Sequence, residues 1–193
     1  MLKEKFKNHT IILASGSPRR QQFLKDLDLD FEIRLKEVEE IYPEGLEAEE
    51  ITNFLAELKA NAFEGELKEN DILITSDTIV WFDNKALGKP KNYDDAFQIL
   101  KSLSGNTHDV ITSVCIKTIE NTDVFYELTA VTFNELPDEA IHYYLEHYKP
   151  YDKAGAYGIQ EWIGFIGVSR IEGSYANVMG LPVDKVYSYL TNF

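Results

Sequence analysis

The sequence predicts a mixed α/β fold built from alternating strands and helices. Short apolar runs, which are typical of buried strands, alternate with segments whose apolar residues recur at helical spacing. Two long β-rich runs, 109–119 and 124–133, are separated only by the polar residues ENTD and indicate an antiparallel pair. A chain of 193 residues can bury about 70% of its unfolded surface, so a substantial core is expected.

The first half of the chain begins the alternation of strands and helices. Ser17 is a candidate N-cap with Pro18 at the first helical position, so a helix is expected directly after the first strand. The clearest helix covers residues 47–65, and its predicted buried face contains Ile51, Leu55, Leu58 and Ala62. Strands are expected, from apolar runs or alternating polarity, at 9–14, 29–35 and 71–75.

The second half continues the same pattern. WFDNKALGKP predicts a hairpin or turn, and NYDDAFQILKSLSG predicts a helix that is capped by Asn92 and ends at Gly105. After the antiparallel pair, a helix is expected from 137–139, then a strand at 163–171 and a final helix from Pro182. The inward face of the first of these helices is predicted to contain Ile141, Leu145 and Tyr148.

Composition narrows the function classes. The net charge of −14, from 33 acidic against 19 basic residues, argues against nucleic acid as a partner but does not exclude a small anion at a local basic cleft. The charged N-terminus lacks a signal-peptide core, no apolar run reaches the about 20 residues that span a membrane, and the single cysteine suits a reducing compartment. We therefore expect a cytoplasmic protein without membrane contact. Without repeats or linkers, residues 1–193 are expected to form one domain.

The segment LASGSPRR, residues 13–20, is a candidate for anion binding. A helix N-terminus offers unpaired N–H groups and a partial positive charge, and arginine matches phosphate oxygens bidentately. Arg19 and Arg20 would stand in the first helical turn, where the helix dipole disfavours cations. This unfavourable placement indicates phosphate binding. The alternative is a capped helix with two solvated arginines.

Asp77 and two lysines could also carry chemistry. Asp77 is expected just past the C-terminal end of a buried strand, where ligand sites of α/β sheets gather, and could hold Mg²⁺ or orient water. A cap in a turn is the alternative for this residue. Lys59 lies beside the apolar stripe of its helix, a position from which most lysines extend to solvent. Lys89 lies between Gly88 and Pro90 in a rigid, exposed turn. It is either a functional residue or an ordinary turn lysine.

The remaining candidate site residues have acidic, amide, imidazole or thiol side chains. Glu39 and Glu40 lie in an acidic loop that is either solvated or contributes a metal ligand. Gln160, in DKAGAYGIQEW, could contact the edge of uracil or thymine because its amide both donates and accepts; the alternative is a Gly-rich turn before a strand. The histidines and the cysteine show no zinc-site spacing and no nucleophile context, and Cys115 is expected to be buried and inert.

Taken together, these segments resemble the Maf family of nucleoside triphosphate pyrophosphatases. The resemblance extends from Ile11 to about Leu190 and is carried, in chain order, by LASGSPRR, VEE, LKANA, SDTIV, LGKP, SGNTHDVIT, DKAGAYGIQ and GSYANVMGLP. It implies a long mixed sheet flanked by helices, with two lobes around a cleft, akin to inosine triphosphate pyrophosphatases. It also implies hydrolysis of a nucleoside triphosphate to the monophosphate and pyrophosphate with a divalent cation, Mg²⁺ or Mn²⁺.

The resemblance also implies roles for individual residues. Asp77 matches the general base and, with Glu40, a metal ligand, although Glu39 competes with Glu40 for the acidic-loop position. Positions that mark the branch preferring dTTP and UTP are matched by Arg19, Thr78 and Gln160. Positions that contact phosphate are matched by Ser15, Arg20, Lys59 and Lys89. Ser76 stands where many members have alanine, and EWIGFIG is bulkier than the Gly-rich segment that is usual there.

The sequence also allows two alternative functions. The family has been linked to septum formation, so a nucleotide-binding regulator without essential catalysis is one alternative. A pyrophosphatase for other modified or methylated nucleotides is the second, although Gln160 and Thr78 favour dTTP, UTP and modified pyrimidines. The expected partner is a nucleoside triphosphate substrate, and the resemblance leaves open whether the chain forms a homodimer.

Overall fold

The structure, a computed structural model, describes residues 1–193. The strands are β1 (Thr10–Leu13), β2 (Phe31–Ile33), β3 (Asp71–Phe82), β4 (Lys85–Leu87), β5 (Thr107–Lys117), β6 (Thr122–Phe133) and β7 (Val168–Glu172). The helices are α1 (Leu2–Lys5), α2 (Pro18–Asp26), α3 (Glu49–Asn61), α4 (Tyr93–Leu103), α5 (Asp138–Tyr148), α6 (Trp162–Gly167), α7 (Tyr175–Val178) and α8 (Val183–Asn192). A short 3-10 helix covers Ala154–Ala156.

The strands form a seven-stranded mixed sheet, which confirms the predicted α/β class. The strand order is β2-β1-β3-β5-β6-β7, and β4 pairs with β3. β1 is parallel to both β2 and β3, whereas the β3–β4 and β6–β7 pairs are antiparallel. No helix is both long and apolar enough to cross a membrane.

The chain divides into two compact units. The first unit contains Met1–Asp77, Thr112–Glu127 and Gly180–Phe193. Its apolar residues form two clusters, and the smaller packs one face of α3 against β1, β3 and β5 through Ile12, Ala56, Ala60, Leu73 and Cys115. Hydrogen bonds add to this packing, because the Thr75 hydroxyl donates to the Ala56 carbonyl at 2.6 Å. The small residues of α3 thus let the helix approach the sheet closely.

The second unit contains Thr78–Ile111 and Leu128–Met179. Its core joins α4, α5 and α6 to the strands and includes Phe133, Tyr144, Tyr157 and Ile163. The β3–β4 hairpin lies here, and Asp83 and Asn84 both have positive φ, as a two-residue type I′ turn requires. The Asn92 side chain accepts a hydrogen bond from the Asp95 N–H at 2.9 Å, so the predicted cap of α4 is confirmed.

Several predicted elements differ from the observed ones. β3 continues through the polar residues SDT to Phe82, so Asp77 lies inside its own strand and not past its end. The ladder between β1 and β3 ends at the pair Leu13–Ile74, so Asp77 lies beyond the end of the neighbouring strand instead. The expected strand at 163–171 is helical over Trp162–Gly167, and β7 begins only at Val168.

The predicted buried faces of two helices are also partly wrong. In α3, Ile51 and Leu55 are buried as expected, but the face turns toward small residues, with Thr52, Ala56 and Ala60 buried in place of Leu58 and Ala62. In α5, Tyr144 is fully buried and Tyr148 is 40% exposed, the reverse of the expectation for Tyr148. Buried alanine and tyrosine positions depend on the partner surface, which periodicity does not specify.

Candidate functional site

The turn between β1 and α2 is held by Ser15. Its hydroxyl accepts from the Ser17 N–H at 3.2 Å, and its carbonyl accepts from the Gln21 side chain at 3.3 Å. Ser17 is the N-cap residue and Pro18 begins the helix, as predicted, but the Ser17 side chain makes no capping hydrogen bond. The first turn of α2 contains no acidic residue. Its dipole therefore has no local counter-charge from the helix itself.

Arg20 is fixed by backbone carbonyls of two distant segments. Its Nε donates to the Gly180 carbonyl at 2.7 Å and its Nη1 donates to the Ser76 carbonyl at 3.0 Å. Nη1 also lies 3.5 Å from the Ser15 hydroxyl. The guanidinium thus has a defined position next to the β3 backbone, and it is not a solvated arginine of an ordinary first helical turn.

Arg20 is a cation in an environment that contains both signs of charge. Burial lowers the pKa of Arg20 to about 10, the negative charges of Asp77 and Glu40 raise it, and the positive charge of Arg19 lowers it. The guanidinium therefore stays protonated at neutral pH. These charges also show that Arg19, Asp77 and Glu40 are all close enough to Arg20 to interact electrostatically.

Lys59 joins two carboxylates in the first unit. Its ammonium nitrogen lies 2.5 Å from Asp77 Oδ1 and 2.9 Å from Glu40 Oε1. The Lys59 and Asp77 side chains are only 18% and 10% exposed, whereas Glu40 is 43% exposed. Lys59 thus does not extend to solvent. The position of Glu40 beside Lys59 also distinguishes it from Glu39, whose backbone carbonyl accepts from the Ile41 N–H at 2.8 Å.

The two carboxylates suit a divalent cation that is shared with a substrate. No group of three or more His, Cys, Asp or Glu side chains could hold a metal ion by itself. Mg²⁺ in nucleotide sites is commonly bound by one or two carboxylates, with phosphates and water supplying the other ligands. Asp77 and Glu40, brought together on one ammonium group, form such an incomplete set. The residues present therefore fit a metal that arrives with phosphate.

The remaining candidates, Thr78, Lys89 and Gln160, belong to the second unit. Lys89 is exposed and Thr78 and Gln160 are partly buried. The Gly88 carbonyl accepts from the Gly155 N–H at 3.2 Å, so the loop of Lys89 is attached to the segment DKAGAYGIQ. Gly155 has φ of 68° and a Cβ there would lie 2.6 Å from Val80 Cγ2, so only glycine permits this contact.

The structure also identifies residues that sequence reasoning did not assign. Gly180, in GSYANVMGLP, supplies a carbonyl to Arg20, and Ser76 supplies another. Both contacts are made by backbone atoms, which leave no side-chain signal in a sequence. Glu161 and Tyr144 form a further unassigned pair, because the Tyr144 hydroxyl donates to the Glu161 carboxylate.

Two buried groups are unsuited to metal binding or nucleophilic catalysis, as the sequence indicated. Burial lowers the pKa of His108 to about 4, and its Nε2 is hydrogen-bonded to the Tyr157 hydroxyl at 2.8 Å. Burial also raises the pKa of Cys115 to about 12, so its thiol is protonated at neutral pH. Both side chains pack in the interior.

Two solved structures match this chain with TM-scores below 0.5. The nucleoside-triphosphatase/dITP/XTP pyrophosphatase of Mycobacterium abscessus matches with a TM-score of 0.47 and 14% identity, over 93% of this chain and 92% of that one. The Ham1 protein of Staphylococcus aureus matches with a TM-score of 0.45 and 16% identity, over 64% and 71%. At these levels the similarity gives no information about substrate.

Proteins found by sequence comparison are far more similar to this chain than these two structures are. The profile of the family described as Maf-like protein matches residues 10–193. A dTTP/UTP pyrophosphatase of Flavobacterium johnsoniae is 73% identical over 191 residues, which cover 99% of this chain and 98% of the relative. Proteins of the same name from Flavobacterium psychrophilum and Porphyromonas gingivalis are 64% and 47% identical, and each comparison covers at least 97% of both chains.

Proposed function

Because the chain belongs to the Maf family, we propose that it is a nucleoside triphosphate pyrophosphatase that hydrolyses dTTP and UTP. The products are the nucleoside monophosphate and pyrophosphate. The name dTTP/UTP pyrophosphatase of relatives up to 73% identical supports the reaction and the pyrimidine preference. The alternatives, a non-catalytic regulator or a pyrophosphatase for other modified nucleotides, have no comparable support.

The observation that carries this proposal is the ionic cluster of the first unit. Lys59 contacts both Asp77 and Glu40, and Arg20 is held beside the strand that bears Asp77. Phosphoanhydride hydrolysis is accelerated by cations near the phosphate oxygens and by a residue, such as a carboxylate, that orients or deprotonates the attacking water. All of these groups occur in this one cluster.

The phosphate contacts are assigned to Ser15, Arg20, Lys59 and Lys89. Arg20 is pre-positioned by the Gly180 and Ser76 carbonyls, so its guanidinium can meet a phosphate without a search over rotamers. Lys59 exchanges part of its contact with the carboxylates for contact with phosphate oxygens. The N-terminus of α2, which has no acidic residue of its own, favours negative charge nearby.

Asp77 is assigned as the general base and, with Glu40, as the holder of a divalent cation. When bound, Mg²⁺ or Mn²⁺ supplies charge neutralisation of the phosphates and lowers the pKa of a coordinated water. Asp77 accepts the proton of the attacking water or orients that water through its carboxylate. Glu40 is preferred to Glu39 because it shares Lys59 with Asp77.

Recognition of the base is assigned to Arg19, Thr78 and Gln160. The Gln160 amide can donate to one edge position of uracil or thymine and accept from its neighbour. We further propose that residues 1–193 act as one catalytic domain and that the enzyme works in the cytoplasm, where nucleoside triphosphates are made and used.

Pyrophosphate release from a panel of canonical and modified triphosphates tests this function. Reactions contain Mg²⁺, Mn²⁺ or EDTA, and the Asp77→Asn variant serves as the inactive control. We expect metal-dependent release that is fastest with dTTP and UTP. Fastest release from another nucleotide would favour the modified-nucleotide alternative. No release from any substrate by folded protein, with nucleotide binding retained, would favour the regulator.

A further inference from the structure

Gln160 lies inside a tight turn of the second unit. The Glu161 N–H donates to the Gly158 carbonyl at 3.0 Å, which closes the turn 158–161. A Cβ at Gly158 would lie 3.1 Å from Gln160 Nε2 and 2.8 Å from Glu161 Cδ. Both side chains therefore lie against the bare Cα of Gly158, within the same short turn.

A single buried hydroxyl holds both ends of this turn. The Tyr144 hydroxyl on α5 donates to Glu161 Oε2 and accepts from the Gly158 N–H at 3.0 Å. Tyr144 has no exposed surface. Burial and the neighbouring Glu161 raise the pKa of Tyr144, so the hydroxyl keeps its proton at neutral pH and remains a donor.

The other oxygen of Glu161 is also occupied. Lys153 Nζ lies 3.3 Å from Glu161 Oε1, and the two side chains are only 10% and 19% exposed. Glu161 is thus a carboxylate with a partner on each oxygen, in a setting where solvent screening is weak. Its position is restrained from α5 and from the segment before the turn.

We propose that Tyr144 and Glu161 are positioning residues that hold the Gln160 turn in the geometry needed to discriminate the nucleobase. This inference rests on the proposed function, in which Gln160 contacts the base. A glutamine amide discriminates between bases only if its oxygen and nitrogen are presented in a fixed order. A site that is loose by about 1 Å loses that discrimination. The contact network supplies the rigidity that a turn of this length lacks by itself.

The test uses steady-state kinetics of the variants Tyr144→Phe, Glu161→Ala and Glu161→Gln with dTTP and dCTP. We expect KM for dTTP to rise about tenfold in the first two variants, as for loss of a hydrogen bond to a charged group, while kcat changes little. The ratio of kcat/KM for dTTP to that for dCTP should fall correspondingly. Glu161→Gln, which keeps an acceptor for Tyr144, should retain more of the ratio than Glu161→Ala.

Tyr148→Phe is the matched control. Tyr148 lies on the same helix and its ring stacks on that of Tyr144 at 5.1 Å, but it is 40% exposed. It should keep the wild-type ratio. If Tyr144→Phe fails to fold, as judged by its melting transition, the ratio is measured with the two Glu161 variants alone.

Gln160→Ala, alone and combined with Tyr144→Phe, separates the inference from the function on which it rests. If Tyr144 acts through Gln160, the double variant should discriminate no worse than Gln160→Ala alone. A ratio that falls in Gln160→Ala but not in Tyr144→Phe or Glu161→Ala would overturn the positioning role only. An equal loss with both nucleotides would also overturn it. A ratio unchanged in Gln160→Ala would refute the base contact itself.

Discussion

The ammonium nitrogen of Lys59 lies 2.5 Å from Oδ1 of Asp77, within a pair whose side chains are at most 18% exposed. Glu40 shares the same ammonium group at 2.9 Å. One cation therefore holds two carboxylates from segments far apart in the chain, and the group is less screened by solvent than a surface ion pair. The arrangement keeps both carboxylates close together on one side chain.

Asp77→Asn should abolish turnover, with a loss of roughly 10²-fold or more, because an amide neither accepts the water proton nor holds a divalent cation well. Pyrophosphate release with dTTP measures the effect. Asp30→Asn makes the same change in an exposed ion pair with Lys3, at 3.2 Å, and should leave turnover intact. Strong residual turnover in folded Asp77→Asn would eliminate Asp77 as the base.

Arg20→Ala should weaken catalysis on every triphosphate alike, since we propose that the guanidinium contacts the phosphates and not the base. Loss of a charge-assisted contact corresponds to roughly 1.5–3 kcal/mol of transition-state stabilisation, or about 10- to 100-fold in kcat/KM. Arg170→Ala, which removes an arginine that is 67% exposed, is the control. A changed preference between dTTP and dCTP in Arg20→Ala would contradict the assignment to phosphate.

Ser76→Ala should leave stability unchanged or raise it by about 1 kcal/mol. The Ser76 hydroxyl is buried and has no hydrogen-bond partner, so its removal relieves a desolvation cost. The carbonyl that accepts from Arg20 belongs to the backbone and is kept. Denaturant unfolding measures the difference. A loss of more than about 1 kcal/mol would mean that the hydroxyl has a bound water or another partner.

Local sequence patterns predicted most elements of the fold but not their packing. The Asn92 cap and the turn at Asp83 and Asn84 follow from local chemistry and are confirmed. The prediction of a strand at 163–171 is wrong for residues 162–167, which are helical although their apolar residues are typical of strands. Gly164 packs against the Ile159 carbonyl so closely that a Cβ would lie 1.9 Å away, and hydrophobic periodicity does not reveal this local backbone contact.

The candidate site was predictable only as a set of separate residues. The position of Lys59 on its helix is that of an ordinary solvated lysine. Its contact with both Glu40 and Asp77 forms only because the acidic loop and β3 both lie next to α3. The choice between Glu39 and Glu40 likewise depends on the loop's path. The family motifs identify these residues one by one. Only the distances in the structure show that Lys59 contacts both Asp77 and Glu40.

Gly155→Ala should destabilise the protein by roughly 2–5 kcal/mol, from a left-handed backbone and an overpacked contact with Val80. Gly65→Ala is the matched control: its φ is 75° but a Cβ there meets nothing within 4 Å, so only the backbone cost of about 1–2 kcal/mol applies. The penalty should shrink in a Val80→Ala background, as a double-mutant cycle would show. Equal losses in the two glycine variants would contradict the steric part.

Stability should fall as pH drops below 6.5, through His108. The folded protein keeps this imidazole neutral, because burial lowers its pKa from 6.5 to about 4, and its Nδ1 has no partner. The unfolded chain therefore binds the proton first, so the free energy of unfolding is unaffected above pH 6.5 and falls by about 2 kcal/mol by pH 5.

Denaturant unfolding at pH 7 and pH 5 isolates this contribution when wild type is compared with His108→Gln. The variant has no imidazole at this position, so its free energy of unfolding should fall by about 2 kcal/mol less than that of wild type between pH 7 and pH 5. His147→Gln removes an exposed imidazole from α5 and should retain the wild-type slope. If His108→Gln lost stability between the two pH values as steeply as wild type, protonation of His108 would not be the cause, and the carboxylates would have to account for the whole acid sensitivity.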